Sequence, residues 1–217
     1  KNEILAKSYD FIGNYQKAFI YFETANDSIN NFYKNQFDKK IYLNFLKKRS
    51  DYFLKKNIDK WSTYNFFTKI NDPVFLIGFP RSGTTLLDTI LRSHPSIEVL
   101  EEEPIIDEMI NELEKEIKND FSKLEELNED LFHKIRNIYF EKRNKYIKYD
   151  KNKVFIDKLP LSIVNVGEIF RFFPNAKFIF ALRNPCDVVL SCFMQIFSLN
   201  HAMSNFLNIN DTAKLYD

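Results

Sequence analysis

Apolar and polar positions divide this chain into two regimes. Over residues 3–30 apolar side chains recur at helical spacing and predict two short antiparallel helices. Leu5, Ala6, Tyr9, Gly13, Tyr15, Ala18, Phe22 and Ala25 lie along their seam, small residues where the helices cross and aromatics between them. Residues 31–71 are amphipathic and helical, with Phe37, Ile41, Phe45, Leu46, Tyr52 and Phe53 inward and many lysines outward. Asn71-Asp72-Pro73 stops that pattern, because the residue before a proline is driven out of helical geometry. From there strands and helices alternate. Strands are expected at 74–78, 97–100, 153–157 and 177–182, and helices at 83–93, 104–118, 121–148, 161–172 and 185–198. Such alternation predicts an α/β domain, a parallel sheet with helices on both faces.

The segment Val74-Phe75-Leu76-Ile77-Gly78-Phe79-Pro80-Arg81-Ser82-Gly83-Thr84-Thr85-Leu86-Leu87 carries the most chemistry. It reads as a buried strand, a tight loop and the opening of a helix. Two of the four glycines of the chain, Gly78 and Gly83, bracket the loop. Unpaired backbone amides at such a helix start, with the positive end of the dipole behind them, form an anion site. Arg81, Ser82, Thr84 and Thr85 add side-chain donors. The spacing Gly78-x4-Gly83 matches the phosphate loop of nucleotide triphosphatases, but that loop continues with Lys, and Thr84 stands there instead. Val154-Phe155-Ile156-Asp157 could serve as the magnesium-binding strand of such an enzyme, which keeps a kinase or NTPase as the alternative.

Ligands of open parallel sheets bind beyond the carboxyl ends of the strands. After the expected strands come Pro80 to Thr85, then Glu101-Glu102-Glu103, then Lys158, then Arg183-Asn184-Pro185. Anion donors, a carboxylate cluster, a lysine and an arginine are thereby gathered on one edge. Asn184-Pro185 is a helix start, with Asn as N-cap and Pro at the first position. Asp187 caps that helix, and Ser191 lies two turns in, on the side of Arg183.

Composition narrows the classes. A net charge of +1 over 217 residues does not point to non-specific nucleic-acid binding, which needs a basic face. No run approaches the ~20 apolar residues of a membrane span. On one helix Cys186 and Cys192 would lie about 9 Å apart along the axis, too far for a disulfide. That suits a reducing compartment and a cytoplasmic location. His133 sits in a solvated Glu/Lys/Asn-rich stretch, and His94 follows a helix. The chain begins inside a helical pattern without an initiator Met and ends at Asp217 without a stop signal, as a piece of a longer protein would.

These residues resemble the sulfotransferases that use 3′-phosphoadenosine 5′-phosphosulfate (PAPS), closest to the bacterial type carrying tetratricopeptide repeats, with kinship to tyrosylprotein sulfotransferases. Pro80-Arg81-Ser82-Gly83-Thr84-Thr85-Leu86 is similar to the 5′-phosphosulfate loop, and Leu182 to Ser191 to the 3′-phosphate segment. Ser93-His94-Pro95 with Glu101-Glu102, Asp157-Lys158-Leu159-Pro160 and Phe173-Pro174-Asn175-Ala176-Lys177 also match, in order. The resemblance implies a P-loop NTPase-like sulfotransferase fold. It divides the chain into a partial tetratricopeptide-like hairpin over 1–35, a helical connector over 36–72 and a sulfotransferase domain over 73–217, incomplete at its C-terminus. Arg81, Ser82, Gly83, Thr84 and Thr85 would hold the 5′-phosphosulfate, and Arg183 and Ser191 the 3′-phosphate. Lys158 would neutralise the bridging oxygen, and Glu102, rather than Glu101, would take the acceptor proton. Like charge from Glu101 and Glu103 would favour that uptake. No metal is implied. One hairpin of about 34 residues cannot bury its own face, so a protein partner at the helical N-terminus is a further expectation. A non-catalytic binding module is the second alternative. The acceptor, whether protein, glycan or small molecule, is not legible.

Overall fold

A computed structural model describes residues 1–33, 35–55 and 71–217, so residues 56–70 of the predicted connector lie outside the described residues. The chain forms two compact units, one of residues 1–48 with 183–217 and the other of residues 49–182.

In the first unit, α1 (Asn2–Phe11) and α2 (Tyr15–Tyr33) are joined by a turn through Gly13 at φ 74°. As the spacing of small residues predicts, Ala6, Ala18 and Phe22 are buried between them, and Phe193 joins the cluster. Phe193 belongs to α8 (Pro185–Met194), and its carbonyl accepts a hydrogen bond from buried Asn26 at 2.9 Å. A 3₁₀ turn at Met203–Leu207 and α9 (Ile209–Tyr216) complete the unit. The helix expected over 185–198 stops at Met194, because Gln195 is extended. Cys186 is exposed and Cys192 buried, and neither forms a disulfide.

The second unit is built on four parallel strands, β1 (Val74–Gly78), β2 (Ile97–Glu101), β3 (Val154–Lys158) and β4 (Lys177–Ala181). Their order is β2-β3-β1-β4, so the chain leaves β1, passes over the place of β3 and returns later to fill it. The uninterrupted apolar run of β1 is what burial on both faces requires. On one face Phe75, Ile77, Leu100 and Phe155 meet α5 (Ile105–Glu116), α6 (Glu129–Tyr146) and α7 (Val166–Phe172). Strand alternation turns Leu76 and Ile156 to the other side, and α4 (Thr84–Arg92) packs against β1 and β2. Helices thus cover both faces of the sheet, as expected.

Two local expectations change. The helix read over 121–148 is a 3₁₀ turn at Phe121–Leu124 followed by α6, since Asn128 caps a new start by accepting from Leu131 N at 2.8 Å. Ile41 is half-exposed, while Arg49, on the helix Lys39–Phe53 (α3), is buried against Glu168 at 2.7 Å. Asp72, placed just before β1, pairs with buried Arg136 of α6 at 2.5 Å and accepts from Asn175 N at 2.8 Å, which fixes where the first strand begins.

Asp157 of β3 is buried and accepts a 2.9 Å hydrogen bond from Tyr139 of α6. Burial pushes its carboxyl up to about 7. The folded state therefore holds a proton that the unfolded chain releases near 3.8, so this group's contribution to stability is lost as pH rises from there to about 7. Glu168, raised to about 7 by burial, acts with the same sign. Asp157→Asn keeps an acceptor for Tyr139, so thermal unfolding across that pH range should lose part of its downward slope. An unchanged slope would show that Asp157 ionises normally in the fold.

Candidate active site

The loop between β1 and α4 is shaped by two glycines with different jobs. A Cβ on Gly78 would stand 2.8 Å from Ser82 Oγ and 2.9 Å from the Ala181 carbonyl of the neighbouring strand, so only glycine lets the loop fold back over the strand end. Gly83 has open space around it but sits at φ 98°, where a side chain is strained. Arg81 adopts φ 69°, and Ser82 N closes the turn onto Phe79 O at 3.1 Å. Gly83 is the N-cap of α4 and has no side chain with which to satisfy it. The amides of Thr84, Thr85 and Leu86 therefore start the helix without intrahelical acceptors. Ser82 Oγ is buried and lacks a hydrogen-bond partner. Backbone amides and a buried hydroxyl are thereby left as donors at one helix start, the arrangement that can hold an anion.

The lysine that the loop lacks at Thr84 has a counterpart on β3. Lys158 is fully buried, and its Nζ lies 3.3 Å from Thr85 Oγ1, 3.2 Å from Glu101 Oε1 and 2.6 Å from Glu102 Oε1. Parallel pairing sets Glu101 opposite Lys158, and Glu102 N continues the ladder onto Lys158 O at 2.7 Å. The chain then turns through Glu102 at φ 55°. Thr85, Lys158 and both candidate bases are thus brought together at the carboxyl ends of β1, β2 and β3.

The two glutamates differ. Glu101 holds two cations, Lys158 on one oxygen and Arg92 on the other at 3.0 Å, and the Lys158 hydrogen bond, then Arg92, keep its carboxyl below the usual range. Glu102 touches only Lys158 among these cations and keeps about half its side chain exposed. Both carboxylates share the Lys158 ammonium, and Tyr146 donates a hydrogen bond to Glu103.

Asp157 does not reach this edge. Strand alternation turns it to the face opposite Lys158, onto Tyr139, so the strand that could have carried a magnesium carboxylate points that group into the core. His94 accepts from Ser96 N in its own turn, and His133 lies near Glu129. Arg183, Ser191 and Asp187 belong to the other unit. There Asn184 caps α8 through Cys186 N at 2.9 Å with Pro185 at the first position, and Arg183 Nε lies 3.8 Å from Asp187 Oδ2. His201 accepts from Asp38 N in that unit.

A cleft of about 470 Å³ lies at the opposite, amino-terminal edge of the sheet, lined by Val74, Lys153 and Lys177 among others. It contains none of the candidate site residues. Sequence reasoning passed over Asp88 and Arg92 of α4, whose four-residue separation was the available signal.

Residues 73–217 match the sulfotransferase family. The chain belongs to that family. It is also 33% identical over 141 residues to an uncharacterized protein of Aquifex aeolicus (strain VF5), an alignment that covers 62% of this chain and 18% of that protein. The alignment therefore spans less than a fifth of the length of that protein.

Among the described residues no helix is long and apolar enough to cross a membrane. The close approach at Gly78 supplies a direct test of the loop. Gly78→Ala forces its Cβ against a strand carbonyl that cannot swing away, so the variant should lose about 1–3 kcal/mol in urea denaturation. Wild-type stability would show that the loop is less tightly closed than described.

Proposed function

We propose that this segment transfers a sulfuryl group from PAPS to a hydroxyl or amine acceptor, releasing 3′-phosphoadenosine 5′-phosphate. The observation that carries the reading is the contact of buried Lys158 with both Thr85 of the anion loop and Glu102. The donor fits the loop on this chain's own terms, because the buried Ser82 hydroxyl lacks a partner and the first amides of α4 need an acceptor.

The roles follow from charge. Amides and hydroxyls of Arg81 to Thr85 hold the 5′-phosphosulfate. When bound, the donor supplies an activated sulfuryl group on a phosphate leaving group. Lys158 donates to the bridging oxygen as negative charge grows there, a stabilisation worth ~10²–10³ in rate. Glu102, paired with Lys158 and half-exposed, accepts the proton of the incoming hydroxyl as its hold on Lys158 loosens. Arg183 and Ser191 take the 3′-phosphate. Their assignment rests on the order of motifs, with Arg183 two residues beyond the end of β4.

The kinase or NTPase alternative is disfavoured by Asp157, which is committed to Tyr139. A binding role for the helical N-terminus remains compatible with catalysis, since Ile4, Phe11, Ile12 and Ile20 are exposed on the first hairpin. We assign that hairpin to a protein partner or to neighbouring tetratricopeptide-like units, 36–72 to a connector, and the whole to the cytoplasm. Protein, glycan and small-molecule acceptors all suit a solvent-facing carboxylate.

Arg183→Ala should weaken 3′-phosphoadenosine 5′-phosphate ~10- to 100-fold, the loss of one charge-assisted contact, and leave a ligand lacking the 3′-phosphate almost unaffected. Equal loss for both ligands in calorimetry would remove Arg183 from the 3′-phosphate. Glu102→Gln should bind donor normally yet transfer sulfuryl at least ~10²-fold more slowly. Full activity in a radiolabelled-donor assay would move the base elsewhere.

A further inference from the structure

We propose that Arg92 is a positioning residue for the transfer step, fixing Glu101 as the permanent counter-ion of Lys158 so that Glu102 can leave the lysine and serve as base. The assignment rests on the proposed sulfotransfer chemistry for its roles and on geometry for its contacts.

Lys158 is buried with two carboxylates on one ammonium. A buried ammonium with no counter-charge is costly, and breaking such a pair destabilises the charge left behind. If Glu102 becomes protonated during the step, its pairing with Lys158 fades, and Glu101 alone remains to keep the ammonium charged and in place. Glu101 is itself about 40% exposed and would otherwise be free to swing into water. Arg92 prevents this by donating to Oε2 at 3.0 Å while Oε1 stays on Lys158 at 3.2 Å. An exposed ion pair by itself contributes little, because long side chains must be ordered to form it. Here that ordering is already accomplished. Asp88, buried in the same helix, grips the guanidinium through both Nε, at 2.7 Å, and Nη2. The chain Asp88, Arg92, Glu101, Lys158 thus runs from the last turns of α4 across the ends of β2 and β3 to the reacting edge. The groups facing Glu101 are Lys158 from β3, Arg92 from α4 and Glu102 beside it in sequence, and the lowered carboxyl of Glu101 accords with the two cations.

Arg92 is partly exposed, so Arg92→Ala should fold. Two readouts are needed on the intact chain. In the first, the Glu101 side-chain carboxyl is titrated by NMR. Its midpoint should rise in Arg92→Ala and return toward wild type in Arg92→Lys. In the second, kcat should fall about tenfold, the equivalent of one charge-assisted contact, with donor KM within about twofold, and Arg92→Lys should recover most of it. An unchanged Glu101 midpoint overturns the inference whether or not the wild-type chain transfers sulfuryl. A normal midpoint shift with unchanged kcat in an active wild-type enzyme overturns the positioning role. A wild-type chain inactive toward every acceptor, with the Glu101 shift intact, counts against the sulfotransfer reading and not against the contact.

Discussion

Burying a charged lysine is costly unless negative charge is built in around it, and Lys158 meets that demand at the point where three parallel strands end. The strand order places β3 between β2 and β1. Glu101 and Glu102 therefore arrive on one side of the ammonium and Thr85 on the other. Neither the loop nor the carboxylates would constitute a site alone. The loop lacks a cation of its own at Thr84, and the carboxylates would repel the anion it invites.

That division of labour distinguishes this edge from the triphosphatase loop it resembles in spacing. There a lysine inside the loop follows the second glycine and bridges the phosphates. Here the glycines shape a backbone cradle, while the positive charge is delivered by a neighbouring strand and held by its own counter-ions. In the proposed transfer, a lysine tethered by two glutamates serves charge that appears only during reaction, rather than static binding.

Much of this was legible before any coordinates. The apolar run at 74–78, the glycine-bracketed loop and the alternation after Pro73 dictated β1, α4 and the parallel sheet through local geometry and periodicity. The residues following each strand pointed to one edge because parallel strands share a direction. Other features depend on long-range pairing that no local pattern encodes. The insertion of β3 between β2 and β1 is one, and the facing of Asp157 is another, since a strand's alternation shows that Asp157 and Lys158 point oppositely without showing which faces the core. Tyr139 decides that by offering its hydroxyl. The motif order favoured Glu102 over Glu101, but the contact that holds Glu101 comes from Arg92 on a different element, which no local pattern encodes. The break before α6 was visible in Asn128-Glu129-Asp130, an N-cap followed by acids, but the run of amphipathic residues masked it.

The central claim is that main-chain donors of the β1–α4 loop, backed by Lys158, receive the anionic end of the donor. Backbone amide resonances of residues 82–86 report on this most directly during titration with 3′-phosphoadenosine 5′-phosphate. The account predicts saturable shifts concentrated at Gly83, Thr84, Thr85 and Leu86, accompanied by the Lys158 side-chain resonance. Saturable binding that leaves these amides and Lys158 unmoved, with shifts confined to another part of the chain, would contradict it.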